Sequence, residues 1–379
     1  MARLRQAKEP DDRREAAIAL GASGVRTQEA ARALADALHD SDLSVRGAAA
    51  RALVAFGSAA VPPLVHTLSS PDFYTKAHAL GALGEIGPDA AESVDSVLAV
   101  MTDSNQEESL RRVAASALAS IGEPAGPGLT RALASAEGLT RRLAATVLGQ
   151  MRKVDKPVVL RLGALLADED PAVRIAAALA LYRIDKGRKD EALSVMAEAL
   201  DLPTLAIRRQ AMESLGYLGE DAAPAVRKIV SVTQKPQERS EFLDLLDIDS
   251  QVVLLLAAVD ALARMRSPDG APFLMGLIEA VPDAKLTALG AGRFLTKSIV
   301  RLEAVKALGA IGEDACGAVP RLVEMLKARE HATEVAETLG MIGPKASAAV
   351  PELEATVRSE AGELRTAAAA ALERISAGR

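Results

Sequence analysis

Apolar residues recur along the chain at helical spacing, and the pattern itself recurs every 30 to 35 residues over most of the length. In the copy that begins at Arg301, alanine follows three residues later and leucine seven residues later. We call the first residue of each copy the anchor, and the eleven anchors are Arg13, Arg46, Lys76, Arg111, Arg141, Arg174, Arg208, Leu255, Arg301, Ala332 and Arg365. The apolar positions of each copy share one stripe of an α-helix, so each copy predicts an amphipathic helix, which we call the anchor helix.

Glycine marks the end of most anchor helices. It stands eleven residues after the anchor in seven copies, at Gly24, Gly57, Gly87, Gly122, Gly219, Gly312 and Gly343. Because glycine takes the left-handed conformation more readily than other residues, this position predicts a helix stop.

A second amphipathic segment lies between successive anchor helices and often begins with proline. After Pro320, for example, apolar residues follow at Leu322 and Leu326, which fits a short helix with proline in its first turn. Each unit is therefore predicted to be a pair of helices. Neither helix can bury its apolar face alone, so we expect successive pairs to stack.

These units resemble HEAT repeats, in particular the short bacterial repeats grouped with phycobilisome-lyase-type HEAT-like repeats, over about residues 9–376. The resemblance implies an all-α fold, a right-handed α-solenoid of about ten helix-pair repeats plus an N-terminal half-repeat. We expect a single domain over 1–379, with regular repeats over 1–220, two expanded repeats over 221–300 and C-terminal repeats over 301–379. HEAT proteins include scaffolds, transport receptors, chromophore lyases, DNA-repair proteins and a metal-dependent hydroxylase, so the fold alone leaves function open.

The anchor arginines are expected to be structural. An acidic residue stands four positions before the anchor in the first six copies, and Asp42, Asp72 and Asp170 lie where a helix N-cap is expected. In HEAT proteins the matching Asp and Arg positions pair between neighbouring repeats, and the resemblance implies the same ladder here. Its expected members are Arg46, Arg111, Arg141, Arg174, Arg208, Arg301, Arg365, Asp42, Asp72 and Asp170. From Arg208 onward the acid is replaced, which predicts a change in the ladder.

Two insertions lengthen neighbouring repeats, at 235–251 and 281–298. Stacking would place them side by side on one edge, and insertions in repeat proteins often lie on a working face. Their charges are opposite, acidic in the first and basic in the second. Two interpretations stay open: the insertions pack on each other, or their apolar residues bind a partner.

Charge and composition narrow the classes of partner. The net charge is −6, which argues against a surface devoted to nucleic acid or anionic lipid. Cys316 is the only cysteine, so the chain is compatible with a reducing compartment. The N-terminus has no apolar leader, and the longest aliphatic stretch, 252–259, is too short to span a membrane. We expect a bacterial, cytoplasmic protein without membrane contact.

The sequence favours a non-enzymatic protein, although it leaves catalysis open. The resemblance includes deoxyhypusine hydroxylase, which needs His-Glu dyads, whereas His39, His66, His78 and His331 form no such dyad and no HExxH motif. The acidic clusters at 40–42 and 168–170 lack the glycine and distant glutamate of a calcium loop. We therefore predict no catalytic residue, no metal and no cofactor.

The predicted partner site lies in the concave groove, where positions five and nine after each anchor are expected to be exposed. Charges of both signs alternate there, which suits a protein or peptide better than a phosphate backbone. The predicted partner-binding residues are Tyr182, Arg183, Glu213, Tyr217, Asp260, Arg264, Phe242 and Phe294. Tyr182 has an alternative interpretation as a packing residue. We expect a scaffold or adaptor; the alternatives are a chromophore-lyase-like or chaperone-like accessory protein and, less favoured, a nucleic-acid binder.

Overall fold

The computed structural model describes residues 1–151, 153–234, 250–279 and 292–377, with the side chains of the last segment described from 298. Every regular element in these ranges is a helix, and no strand occurs in them. The prediction of an all-α fold built from helix pairs is confirmed for this part of the chain.

The helices alternate between the two predicted types. We number them in chain order, so that even numbers from α2 are anchor helices and odd numbers from α3 are the first helices of the pairs. The first fifteen are α1 Ala2–Gln6, α2 Pro10–Ala22, α3 Gln28–Asp36, α4 Leu43–Phe56, α5 Val61–Thr67, α6 Phe73–Ile86, α7 Val94–Thr102, α8 Glu108–Ile121, α9 Gly126–Ala132, α10 Gly138–Leu148, α11 Lys156–Ala164, α12 Pro171–Ile184, α13 Lys189–Ala199, α14 Leu205–Leu218 and α15 Val226–Thr233. The others are α16 Ser250–Met265, α17 Ala271–Glu279, α18 Gly292–Ile311, α19 Val319–Lys327, α20 Ala332–Ile342, α21 Val350–Ser359 and α22 Gly362–Ser376.

The chain divides into two compact units, Met1–Ala192 and Leu193–Arg379. In the first unit, successive anchor helices from α2 to α12 pack on each other, and each also contacts the first helix of its own pair. In the second unit, the anchor helices α14, α16, α18, α20 and α22 pack on each other in the same order. The prediction of one continuous domain over 1–379 stays a prediction.

The core is the alanine–leucine stripe of the anchor helices. Alanine three positions after the anchor is at most 8% exposed wherever it occurs, and Val335, which replaces it once, is fully buried. The leucine seven positions after the anchor is at most 1% exposed in nine of the eleven copies. Small side chains let neighbouring helices approach closely, which explains how a chain with 2% aromatic residues builds its core.

All seven glycines that follow the anchor helices have positive φ, between 57° and 81°. The helix stop is therefore confirmed, although at Gly57 ψ is −137° instead of the value near +47° of a left-handed helix residue. This region is open almost only to glycine, because a Cβ would clash with the backbone. The chain then passes through a short 3₁₀ turn, Gly57–Ala60, into the next first helix.

One described segment, 43–67, is long and apolar enough to cross a membrane by length and composition. Gly57 divides it into α4 and α5, so it is not one continuous α-helix. Its apolar residues Ala49, Leu53 and Leu64 are fully buried in the first unit. The segment thus has the composition of a buried repeat.

Candidate functional site

The anchor arginines of the first unit brace the turn of their own repeat. Arg141 donates through Nη1 to the carbonyl oxygen of Ser135 at 2.9 Å. Arg174 donates through Nη1 to the carbonyl oxygen of Asp168 at 2.7 Å. In both cases the acceptor lies six residues before the anchor, where the turn between the two helices leaves carbonyl groups without helical partners.

Several anchor arginines of the first unit also reach an acidic side chain of the next repeat. Arg46 Nη1 lies 2.8 Å from Asp72 Oδ2. Arg111 donates from both Nη atoms to both carboxylate oxygens of Glu137, at 2.6 Å each. The planar fork of arginine allows it to hold two acceptors at once, which the single ammonium of lysine does less well.

A turn with the pattern Asp-x-Asp divides two roles between its acids. Arg13 binds both oxygens of Asp40, at 2.6 and 2.8 Å, whereas Asp42 caps α4 by accepting from the backbone N–H of Ser44 at 2.8 Å. In the later Asp-x-Asp turn, Asp168 accepts hydrogen bonds from Arg141 through both of its carboxylate oxygens, and Asp170 caps α12.

Asp42 and Asp170 lie at helix N-caps, as their spacing predicts, but the arginine contacts expected of them are made by other acids. The arginine partners are Asp40 and Asp168, two residues earlier in each turn. Because the aspartate side chain is short, it reaches the first-turn N–H groups only from the N-cap position. Asp72 has both roles: it binds Arg46, and it caps its helix by accepting from Thr75 N at 2.8 Å. It combines them because its turn has no second acid.

These contacts lower the pKa of the acids. The hydrogen bond from Arg13 lowers the pKa of Asp40, against the opposing effect of burial. The hydrogen bond from Arg111, helped by Thr140, lowers the pKa of Glu137, again against burial. For Asp168, burial is the largest effect and would raise the pKa, but the contacts from Arg141 and from the backbone of Asp170 together lower it. All three are charged acceptors near neutral pH.

The ladder continues in the second unit with acids that the sequence did not single out. Arg301 pairs with Glu330, and Arg329 Nη2 lies 2.5 Å from Glu360 Oε1. Arg208 is 7% exposed and belongs to the core of its unit, while Arg365 is exposed. Arg301 therefore takes part in a contact between neighbouring repeats.

Most of the predicted exposed positions are exposed, but some are half-buried, among them Arg183 in the first unit and Ala310 and Ala370 in the second. In the second unit, position five after the anchor carries Glu213, Asp260, Lys306 and Glu337, and position nine carries Tyr217, Arg264, Met341 and Arg374, all exposed. Tyr217 and Met341 are 52% and 51% exposed. We call these eight residues the anchor face of the second unit.

Charges on the anchor face are held only loosely. Asp260 and Arg264, one helical turn apart, lie 3.1 Å from each other, and Arg209 and Glu213 lie 3.6 Å apart. Each of these side chains is more than half exposed. Exposed pairs of this kind contribute about 0–1 kcal/mol, so a partner can replace them at little cost.

The remaining predicted site residues are not brought together by the described structure. Tyr182 is 6% exposed, and Lys186 Nζ lies 3.6 Å from its ring centroid, which favours its alternative interpretation as a packing residue. Arg183 is half-buried in the same first unit. Phe242 lies outside the described residues, and so does the side chain of Phe294, as do most of both insertions.

Sequence reasoning missed a second packing signal, the small residue eight positions after the anchor. A Cβ added at Gly216 would lie 2.9 Å from the Cα of Ala261 on the next anchor helix, and one at Gly149 would lie 2.7 Å from the Cα of Ala180. Such distances leave no room for a side chain, so these glycines set the closeness of neighbouring anchor helices. The signal is visible in the sequence as glycine three positions before the helix stop.

The described side chains include no group of three His, Cys, Asp or Glu residues that could hold a metal ion. The acids of the first-unit turns are instead committed to arginine side chains and backbone N–H groups. The geometry thus offers a surface for recognition at the anchor face.

The HEAT-repeat family model matches residues 1–68, 61–148, 126–216 and 296–373, which together cover well over half of the chain. The chain belongs to the HEAT-repeat family. This membership confirms the resemblance read from the anchor pattern and, with the helix pairs, the α-solenoid class. The handedness and the exact number of HEAT repeats stay predictions. No curated protein matches the chain.

Solved structures of HEAT-repeat transport proteins have a similar fold. A Kap95:Nup1 complex matches with a TM-score of 0.60 at 14% identity, covering 98% of this chain and 56% of the matched chain in the complex. Kap121p bound to Pho4p matches with a TM-score of 0.56 at 15% identity, covering 98% and 44%. Importin beta matches with a TM-score of 0.52 at 13% identity, covering 97% and 61%. This HEAT-repeat chain therefore spans about half the length of the proteins it resembles.

Proposed function

We propose that the chain is a non-enzymatic scaffold or adaptor that binds a protein or peptide partner on the anchor face of the second unit. The observation that carries the proposal is the exposure of Tyr217 and Met341, each followed on the next anchor helix by an exposed arginine, Arg264 and Arg374 respectively. Aromatic, methionine and arginine side chains are enriched at protein interfaces. The structures of Kap95 with Nup1 and of Kap121p with Pho4p, whose fold is similar, contain protein partners.

The spacing of the anchor face suits a segment that crosses several repeats. Packed helices lie about 8–10 Å apart, and an extended peptide advances about 3.3 Å per residue. Every third residue of such a peptide would therefore meet the next anchor helix. The partner would place apolar side chains against Tyr217 and Met341, and acidic side chains near Arg264 and Arg374.

A location in the cytoplasm belongs to the same proposal. It is supported by Cys316, the single cysteine of the sequence, which is exposed and therefore suits a reducing compartment.

The experiment is affinity capture with the full chain, followed by measurement of binding to each captured protein in purified form. The test variant combines Tyr217→Ser with Arg264→Glu, and the control is Arg227→Glu on the first helix α15, where the side chain is 90% exposed. We expect a purified partner whose affinity falls at least tenfold with the test variant and stays unchanged with the control. Equal affinity of both variants would contradict the anchor face as the binding surface, and a full chain that captures no specific protein would contradict the scaffold.

A further inference from the structure

A cavity in the first unit lies on the layer of first helices. It has a volume of about 600 Å³, within the range typical of small-molecule sites. Its walls come from α1, α3, the 3₁₀ turn Ala37–His39 and α5. Because α3 and α5 are first helices of successive repeats, the cavity is a widened groove between two neighbouring pairs.

The polar lining of the cavity favours an anion. The lining residues Arg5, Arg32, His39, His66 and Gln28 all have side chains with nitrogen atoms that can donate hydrogen bonds. The lining has one acid, Asp36, whose carboxylate lies 3.3 Å from Arg5 Nη2. Both partners of that pair are about half exposed or more, so the pair is weak and a stronger acceptor can compete for Arg5.

The fold does not require these side chains. Arg32 stands fourteen residues before its anchor, and the equivalent residues of the next four repeats are Pro62, Val97, Pro127 and Leu160. His39 stands seven residues before its anchor, where the same repeats have serine or alanine. The chain has four histidines in 379 residues, and two of them line this one cavity. A packing requirement of the repeat would have appeared in the other copies.

Ala35, Pro62 and Pro63 form an apolar part of the wall, and Thr67 completes the lining. A bare inorganic anion would leave the apolar part without contacts. No group of three potential metal ligands is found among the described residues, so the two imidazoles and Asp36 are not arranged as a metal site. We propose that this cavity binds a small organic phosphate, with the phosphate held by Arg5, Arg32 and the histidines and the organic body against the two prolines. Phosphate offers several acceptor oxygens, which match the fork of an arginine.

The test is calorimetric titration of the full chain at neutral pH and low salt with three probes: phenyl phosphate, inorganic phosphate and phenol. Phenyl phosphate should bind most tightly, because it combines the anion with an apolar ring. Arg32→Gln should weaken it about tenfold or more, the loss expected for one charge-assisted contact. The control Arg131→Gln, an exposed arginine of the first helix α9 outside the cavity, should leave the affinity unchanged.

A second readout uses the unmodified chain. The imidazole resonances of the four histidines can be followed by NMR while phenyl phosphate is added. We expect His39 and His66 to shift with the same saturation curve, and His78 and His331 to stay in place. If phenyl phosphate showed no saturable binding up to about 10 mM, the binding free energy would be weaker than roughly 3 kcal/mol, and the proposal would be overturned. Equal affinity for phenyl phosphate and inorganic phosphate, or equal weakening by both arginine variants, would overturn it as well.

Discussion

Replacing Arg111 with methionine should destabilise the first unit much more than the same change at Arg112, one residue later on α8. Arg111 is 2% exposed and donates to both oxygens of Glu137 at 2.6 Å, to Thr140 Oγ1 at 2.7 Å and to the carbonyl oxygen of Met101 at 2.8 Å. Methionine keeps most of the apolar stem but removes all of these donors.

The magnitude follows from two opposing effects. Hydrogen bonds to charged groups contribute about 1.5–3 kcal/mol each, but burial of a guanidinium costs several kcal/mol. After the change, the Glu137 side chain, 38% exposed in the intact pair, can recover part of its hydration. The expected net loss is about 2–4 kcal/mol. Arg112 is 60% exposed and pairs only with Glu108, so its loss should be about 0.5 kcal/mol or less.

The assay is urea unfolding followed by circular dichroism, together with hydrogen exchange of α8 and α10, because a chain with two units need not unfold in one step. The pH dependence supplies an internal check. The pKa of Glu137 is lowered by Arg111, so its contribution is fully present above the unfolded pKa of about 4.3 and is lost as pH falls through the folded value. The difference between the intact chain and Arg111→Met should therefore shrink in acid. Equal losses for the two arginine variants, within about 0.5 kcal/mol, would refute the reasoning.

Three further predictions concern the repeat itself. Gly57→Ala should cost about 1–3 kcal/mol in urea unfolding because φ is 57°, whereas Gly81→Ala, with equally open space but inside helix α6, should stabilise by about 0.5–1 kcal/mol; a loss at both positions would contradict the conformational explanation. Gly149→Ala should cost about 1–3 kcal/mol by forcing α10 away from Ala180, measured as faster hydrogen exchange in both helices; unchanged exchange would show that the contact relaxes freely. The pKa of Asp168 is lowered in the folded chain, so Asp168→Asn should flatten the loss of stability below about pH 4, and an unchanged acid profile would contradict this role.

The sequence predicted the fold well because the repeat is local. The alanine and leucine of each anchor helix need only helical periodicity to identify them, and all the helix-stop glycines were found from a single offset. The partners of the arginines were harder to predict. Asp40 and Asp42 are two positions apart in the sequence and have the same side chain. The geometry of the turn decides which one caps the helix and which one binds Arg13.

The candidate site was predicted less completely for a related reason. Positions five and nine follow from helical geometry, so exposure of Glu213 and Tyr217 was predictable. Tyr182 stands eight positions after its anchor. Other copies have glycine at this position, such as Gly149 and Gly216, and there it contacts the neighbouring anchor helix. The signal was therefore present: an aromatic residue at a position that is glycine or alanine in eight of the eleven copies indicates packing, not an open surface. The cavity near Arg32 could not be predicted, because its residues come from different registers of three helices.

The register separates what holds the HEAT repeat together from what can recognise a partner. Most residues at the anchor and at positions three, seven and eight make contacts within or between repeats. Substitutions at these positions therefore change the stability of the fold before they change recognition. Positions five and nine contribute little to packing because their side chains are exposed, and evolution can vary them without unfolding the chain. The arginine of the opening pattern, Arg301, lies on the structural side of this division, because it pairs with Glu330 of the next repeat. An anchor substitution that changed which partner the chain binds, without changing its stability, would contradict this separation.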